Sequence, residues 1–134
     1  MVESRTIELV AFKGSDYSKP SIRNLELALG DGKKKPKKNE LKNLYDAAWE
    51  LLYSNPDSAL ILAEQHIKLS KQLENYNIEF GLYLKGTISL QLGNPKIALD
   101  CYYDVLKLNE QKDDSLEIAK SYRDIATVFN YMGE

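Results

Sequence analysis

The chain has 134 residues, of which 43% are hydrophobic and 28% are charged, a composition typical of one soluble domain with a continuous core. It contains no run of 18 apolar residues, and residues 1–5 are not followed by an apolar signal core. We therefore expect neither a membrane span nor a secretory signal, and a cytoplasmic protein with no membrane partner. The single cysteine, Cys101, excludes an internal disulfide, which is typical of a reducing compartment.

Charge is distributed unevenly along the chain. Residues 1–38 contain nine Lys or Arg and five Asp or Glu, whereas residues 39–134 contain nine and fifteen. The two parts therefore carry +4 and −6 and attract each other. An acidic part of this size is a poor candidate for binding nucleic acid on its own.

The N-terminal part contains two short apolar segments and a basic run. Residues 5–12 alternate enough to predict a strand, while residues 22–29 fit either a helix or a strand. Five lysines between Lys33 and Lys38, interrupted by Pro36, indicate a solvated linker. A nuclear-import signal or a nucleic-acid contact is the alternative for that run. We predict that residues 1–38 form an N-terminal extension that ends in a basic linker.

From residue 39 the apolar spacing becomes helical. A first helix is expected at about residues 40–53, and Asn55 followed by Pro56 predicts a capped start for the second. The same pair recurs as Asn94-Pro95, which gives a repeat of about 39 residues. Other positions keep this interval, which indicates an internal repeat: Ala59, Ala63 and His66 correspond to Ala98, Tyr102 and Val105.

Residues 78–109 form one complete helix-turn-helix unit of this repeat. Gly86 and Ala98 are expected where its two helices cross closely. The spacing of its small and large residues resembles that of the tetratricopeptide repeat (TPR), with the motif W-x2-L-G-x2-Y, then A-x3-F, then P. In this chain the motif positions are occupied by Leu82, Lys85, Gly86, Ser89, Ala98, Tyr102 and Glu110.

A third copy begins near Asp114, which with Glu117 resembles a capping box. It lies 40 residues after the second copy, one more than the interval between the first two, so that Tyr122, Ala126 and Gly133 correspond to Leu82, Gly86 and Gly93. Residues 39–134 are thus predicted to be all-α: five helices in stacked antiparallel hairpins, a TPR-like solenoid of about two and a half repeats. Because both intervals exceed the roughly 34 residues usual for the family, the second helix of each pair is expected to be longer. Long repeats of this kind resemble those of bacterial cytoplasmic regulators.

The residues offer little for catalysis. One histidine, His66, and one cysteine supply neither a zinc ligand set nor a supported Cys-His dyad. Gly81 and Gly86 lie inside a helix, where they favour close packing rather than phosphate binding. We predict no enzyme, no catalytic residue, no metal and no cofactor, and a structural or partly exposed role for His66.

The resemblance implies that the first helices of successive repeats line a concave groove. In the first repeat the register is open by one residue: a match of Ala48 to Gly86 places Tyr45, Trp49 and Leu52 in the groove, whereas a match of Ala47 places Leu44, Ala48 and Leu51 there. We favour Ala48. The implied groove positions of the other repeats are Phe80, Tyr83, Thr87 and Leu90, then Lys120, Arg123, Thr127 and Asn130.

The implied function is a noncatalytic protein-protein interaction module with a regulatory or scaffolding role. Its groove is predicted to be aromatic at one end and basic at the other, which suits a peptide with bulky apolar anchors and an acidic group near Lys120 and Arg123. The same aromatic residues would also serve as plain core packing. Two alternatives stay open: a nucleic-acid adaptor using Lys33 to Lys38, and a fragment of a longer solenoid that self-associates through its terminal helix.

Overall fold

The structure, a computed structural model, describes residues 38–133, which form five α-helices and no strand. This confirms the all-helical prediction for this part of the chain. The predicted strand at residues 5–12, the segment 22–29 and the lysines before Lys38 lie outside the described residues. The helices are α1 Lys38–Leu51, α2 Pro56–Gln72, α3 Ile78–Gln91, α4 Pro95–Gln111 and α5 Ser115–Tyr131.

Two helix starts were predicted from local sequence, and both are confirmed. The Asn55 side chain accepts a hydrogen bond from the Ser58 amide at 3.3 Å, ahead of a proline in the first helical turn. At the start of α5, the Asp114 carboxylate accepts from the Glu117 amide at 3.2 Å. The bounds expected for the first helix were wrong by two residues, since α1 ends at Leu51 and a turn follows.

The connections between the helices are three to five residues long, so consecutive helices run antiparallel and pack side by side. The three-residue connection after α3 contains Gly93 at φ +81°, a conformation that glycine adopts without steric cost. Besides the consecutive pairs, α1 also packs against α3.

Helix length follows the predicted pattern. The helices α2 and α4 have 17 residues, whereas α1 and α3 have 14. The helix α5 also has 17 residues. Its extra residues lie at its start, because Ile118 rather than Ser115 corresponds to Ile78, the first residue of α3, in the register of the third copy.

The buried side chains form two clusters. The first joins α1, α2 and α3, and the second joins α4 and α5 with partly buried residues of α3. Members of the first include Leu44, Ala47, Ala48, Leu51, Leu62, Leu84 and Ile88; the second contains Ala98, Tyr102, Leu106, Ile125 and Val128.

Two glycines of α3 allow the neighbouring helices to approach it on opposite sides. A Cβ built on Gly81 would lie 2.5 Å from His66 Nδ1 of α2, and one built on Gly86 would lie 2.7 Å from the Tyr102 ring of α4. The expected close crossing at Gly86 is thus present, although the nearest α4 atoms belong to Tyr102 and Cys101 rather than to Ala98.

Candidate functional site

Four aromatic rings form a row across α1 and α3. Tyr45 and Trp49 lie one turn apart on α1, and Phe80 and Tyr83 lie one turn apart on α3, so each pair shares one helix face. Tyr45 contacts Phe80 edge-on with ring centroids 5.9 Å apart, and Trp49 contacts Tyr83 at 6.3 Å. These contacts join the two helices at the surface of the molecule.

The alternative first-repeat residues lie elsewhere. Leu44, Ala48 and Leu51 are fully buried in the first core cluster, whereas Tyr45 and Trp49 are only half-buried. Leu52, expected in the groove by the favoured register, is buried as well, at 2% exposure.

A groove of about 660 Å³ runs from this aromatic row to α5. It is lined by Tyr45, Phe80 and Tyr83 and, on the far side, by Lys120 and Arg123. Five of the eleven residues that the favoured register placed in a groove therefore line a single surface. These residues come from α1, α3 and α5, and two buried residues of α4 line the groove as well, so it extends over four helices.

Three more of the predicted groove residues lie outside the groove lining. Trp49 packs against the first core cluster. The Thr87 hydroxyl lies 2.8 Å from the hydroxyl of Tyr102 and shares a hydrogen bond with it. Thr127 is exposed and donates to the Arg123 carbonyl oxygen at 3.0 Å.

The two further positions implied for the groove lie outside its lining as well. Leu90 packs against the second core cluster, and Asn130 is exposed.

The far side of the groove is less basic than the sequence suggested. Lys120 pairs with Glu117 at 3.0 Å, and Arg123 pairs with its neighbour Asp124 at 3.4 Å. Altogether the groove lining contains three cations and four carboxylates: Lys112, Lys120 and Arg123, with Glu79, Asp114, Glu117 and Asp124.

The sequence reasoning missed those carboxylates because it counted one helical face at a time. Glu79 is paired with Lys112, which lies 33 residues further along the chain. A local signal existed for Glu117, which is three residues before Lys120 and so shares a helix face with it.

The hydroxyls of Tyr83 and Tyr102 are neutral near pH 7. Burial, then the nearby Asp124 carboxylate, raises the pKa of Tyr83. Burial raises the pKa of Tyr102, whose ring stacks on Tyr83 at 5.8 Å, to about 12. Burial also raises the pKa of Asp124 above its usual value. The groove therefore combines apolar ring surface with uncharged hydroxyls.

A second cavity of about 560 Å³ opens beside the start of α1 and shares Tyr45 and Phe80 with the groove. Its rim includes Lys38, whose ammonium lies 4.2 Å from the centre of the Tyr76 ring. Tyr45 and Phe80 therefore border both cavities.

His66 lies at the wall of this second cavity and is 1% exposed. Its Nδ1 lies 3.4 Å from the Ser70 hydroxyl. Burial lowers the pKa of the imidazole to about 4, so His66 is neutral near pH 7. The structure thus places this histidine in the packing between α2 and α3, where its ring lies against the backbone of Gly81.

The remaining reactive side chain, Cys101, is buried, and burial raises its pKa to about 11. In the described part of the chain, no three His, Cys, Asp or Glu side chains are grouped as metal ligands. None of the five described helices combines the length and apolar character needed to cross a bilayer.

Comparisons with protein-family models, with curated proteins and with solved structures gave no match.

Proposed function

We propose that residues 39–134 form a TPR-like repeat domain that binds a peptide or a segment of a partner protein in the groove between α1, α3 and α5. The proposal is supported by the alternation of 14- and 17-residue helices in the first two pairs, and by the Asn-Pro start that α2 and α4 share. The contact of α1 with α3 agrees with first helices lying side by side.

The observation that carries the proposal is the lining of the groove. Three aromatic side chains, Tyr45, Phe80 and Tyr83, line it together with Lys120 and Arg123 from a third helix. Partly exposed aromatic and arginine side chains are the residue types that contribute most to protein-protein binding. Tyr45 and Tyr83 also pack against the two core clusters, but core packing does not require these rings to share a surface cavity with two cations.

The chemistry of the groove selects its ligand. The aromatic row suits one or two bulky apolar side chains. The Arg123 side chain is 67% exposed and that of Asp124 is 16% exposed, so solvent reaches this pair on the arginine side and weakens it. An incoming carboxylate can therefore compete for Arg123. The module is noncatalytic and has a regulatory or scaffolding role in the cytoplasm.

A peptide selection tests this proposal. We would pan a library of random displayed peptides against the 134-residue chain and measure the affinity of the selected peptides by fluorescence anisotropy. The double variant Tyr83→Ala plus Arg123→Glu is expected to weaken binding at least tenfold, because it removes an anchor surface and reverses the charge that meets the ligand acid.

The matched control is Tyr53→Ala plus Lys107→Glu, which changes the same kinds of side chain at exposed positions outside the groove. It should bind the selected peptides as the wild type does. Selected peptides that bind the two double variants equally well, or a failure to select any peptide, would refute the proposal.

A further inference from the structure

One face of α5 is apolar and exposed. Ala119, Tyr122, Ala126 and Phe129 are spaced three and four residues apart and so share one helix face. All four are exposed, with Tyr122 at 56% and Phe129 at 37%. We refer to these four residues as the α5 outer face.

The equivalent face of α3 is covered by the next helix. In the repeat, Tyr122, Ala126 and Phe129 correspond to Leu82, Gly86 and Ser89, of which Gly86 and Ser89 are buried. Gly86 lies directly against Tyr102 and Cys101 of α4. Tyr122, Ala126 and Phe129 therefore have the position of a helix-packing surface in the repeat, whereas Ala119 corresponds to Glu79, which lines the groove.

The α5 outer face has no partner in the described part of the chain. The helix α5 packs on α4 through a different face, which carries Ser121, Ile125 and Val128. The groove residues Lys120 and Arg123 lie on a third face. A molecule that covered the outer face would thus leave the groove open.

The order of large and small residues on the outer face indicates what covers it. Ala119 and Phe129 lie five residues to either side of Asp124, and Tyr122 and Ala126 lie two residues to either side. When two copies of α5 are aligned antiparallel about this position, every aromatic ring lies at the level of an alanine. In a parallel alignment each aromatic ring would lie beside the same ring of the second chain. Each alanine would lie beside the same alanine and leave a gap between the helices.

Alternating large and small side chains across facing positions is what allows helices to interdigitate. We propose that the α5 outer face binds the same face of a second copy of this chain, in an antiparallel arrangement with a twofold axis near Asp124. The resulting dimer presents two grooves, one on each copy. This proposal does not depend on the groove binding a ligand.

The size of the face predicts a weak dimer. A fully buried aromatic side chain covers about 150 to 250 Å², so the exposed parts of Tyr122 and Phe129, with the two alanines, provide only a small area per copy. The two copies together remain well below the roughly 1200 Å² at the lower end of stable interfaces. We expect a dissociation constant on the order of 10 to 100 μM, which is weak for a specific complex.

Analytical ultracentrifugation of the full chain from about 5 μM to 1 mM, a range chosen around that constant, tests the association. The weight-average mass should rise from that of a monomer towards that of a dimer. Ala126→Glu and Tyr122→Glu should each raise the dissociation constant at least tenfold, because they place a charge in the interface. The matched control Tyr53→Glu, at a site 78% exposed and remote from α5, should leave it unchanged.

Cysteine cross-linking tests the geometry without relying on a disruptive variant. Ala119→Cys mixed with Phe129→Cys should be joined by a short bismaleimide, whereas Ala119→Cys alone should not, since the two copies of residue 119 are about 15 Å apart along the helices. The native Cys101 is buried and gives little background.

Three results would overturn the proposal. The first is a chain that is still monomeric at about 1 mM, where even a weak specific association is detectable. That result would mean that the α5 outer face binds a helix of another protein instead. The second is a dimer unaffected by both glutamate variants. The third is self-cross-linking of Ala119→Cys, which would show a parallel pair.

Discussion

The helices α3 and α5 occupy the same place in successive repeats but differ in how many neighbours cover them. The helix α3 packs against α1, α2 and α4, whereas α5 packs extensively only against α4 in the described part of the chain. The sequences follow this difference. Where α3 has Gly86 and Ser89 buried, α5 has Ala126 and Phe129 exposed. Small residues on two faces are typical of a helix held on both sides.

The contacts that join each of these helices to the helix before it also differ. Between α2 and α3, the imidazole of His66 packs against Gly81. Between α4 and α5, the side-chain amide of Asn109 donates to the Ser121 hydroxyl at 3.0 Å and to the Glu117 carbonyl oxygen at 3.3 Å. One interface thus contains a group that titrates in the acid range, whereas the polar contact in the other is between an amide and a hydroxyl.

The largest expected effect is that of acid on the α2–α3 interface. Burial lowers the pKa of His66 from 6.5 in the unfolded chain to about 4 in the folded one. The unfolded state therefore binds the proton more tightly. The stabilisation is complete above pH 6.5, decreases as the pH falls, and is lost below pH 4, at a total cost of about 3 kcal/mol.

Urea unfolding at pH 7, 5.5 and 4 measures this loss, with His66→Gln as the control. Glutamine stays neutral between pH 7 and 4, so the pH dependence of the variant's free energy of unfolding comes from the carboxylates alone. The wild type should lose about 3 kcal/mol more than the variant between pH 7 and 4. Equal losses would show that the imidazole is hydrated in the folded state.

The next largest effect is expected where α3 meets α4. The substitution Gly86→Leu should lower the free energy of unfolding by about 2 kcal/mol, because even a Cβ there lies 2.7 Å from the Tyr102 ring. That ring is held by its hydrogen bond to Thr87 and by the stacked Tyr83, so it cannot move aside.

The equivalent substitution on α5, Ala126→Leu, is exposed and should change stability by less than about 0.5 kcal/mol. Both variants are measured by denaturant unfolding at low protein concentration, where self-association does not contribute. Similar losses for the two would mean that α5 is covered on its outer face even in the monomer.

Features of the fold and groove that depend on contacts between residues close in sequence could be predicted, whereas those that depend on contacts between distant residues could not. The starts of α2 and α5 were predictable because Asn55 and Asp114 cap within three residues of themselves. The recurrence of the repeat gave the order and number of the helices. The first-repeat register stayed ambiguous because two adjacent alanines, Ala47 and Ala48, are both fully buried.

The charge of the groove was not predictable from one helix at a time. Glu79 and Lys112 meet only because α3 and the end of α4 lie together. Nor could ring type distinguish groove from core, since Tyr83 lines the groove while Tyr102 is buried in the second cluster. Helical spacing does fix which side chains of one helix lie together, so the sequence was able to pair Phe80 with Tyr83 and Lys120 with Arg123.

A smaller effect is expected from the hydroxyl pair behind the groove. Tyr102→Phe leaves the partly buried Thr87 hydroxyl without its 2.8 Å partner, which should cost about 1.5 kcal/mol. The control Tyr103→Phe, at an exposed ring on the same helix, should be neutral. If denaturant unfolding gives the same stability for the two variants, water replaces the hydroxyl and this side of α3 is more open than the static contacts indicate.

The smallest effect concerns the starts of α4 and α5. Asp114 accepts a capping hydrogen bond, whereas the Asn94 side chain makes none. Asp114→Ala should therefore cost about 1 kcal/mol, and Asn94→Ala only a few tenths. Amide hydrogen exchange should also show faster exchange at Glu117 in the first variant. The Asn109 side chain also donates to the Glu117 carbonyl oxygen. Equal costs for the two variants would therefore mean that packing of α5 on α4, rather than the cap, fixes the start of α5.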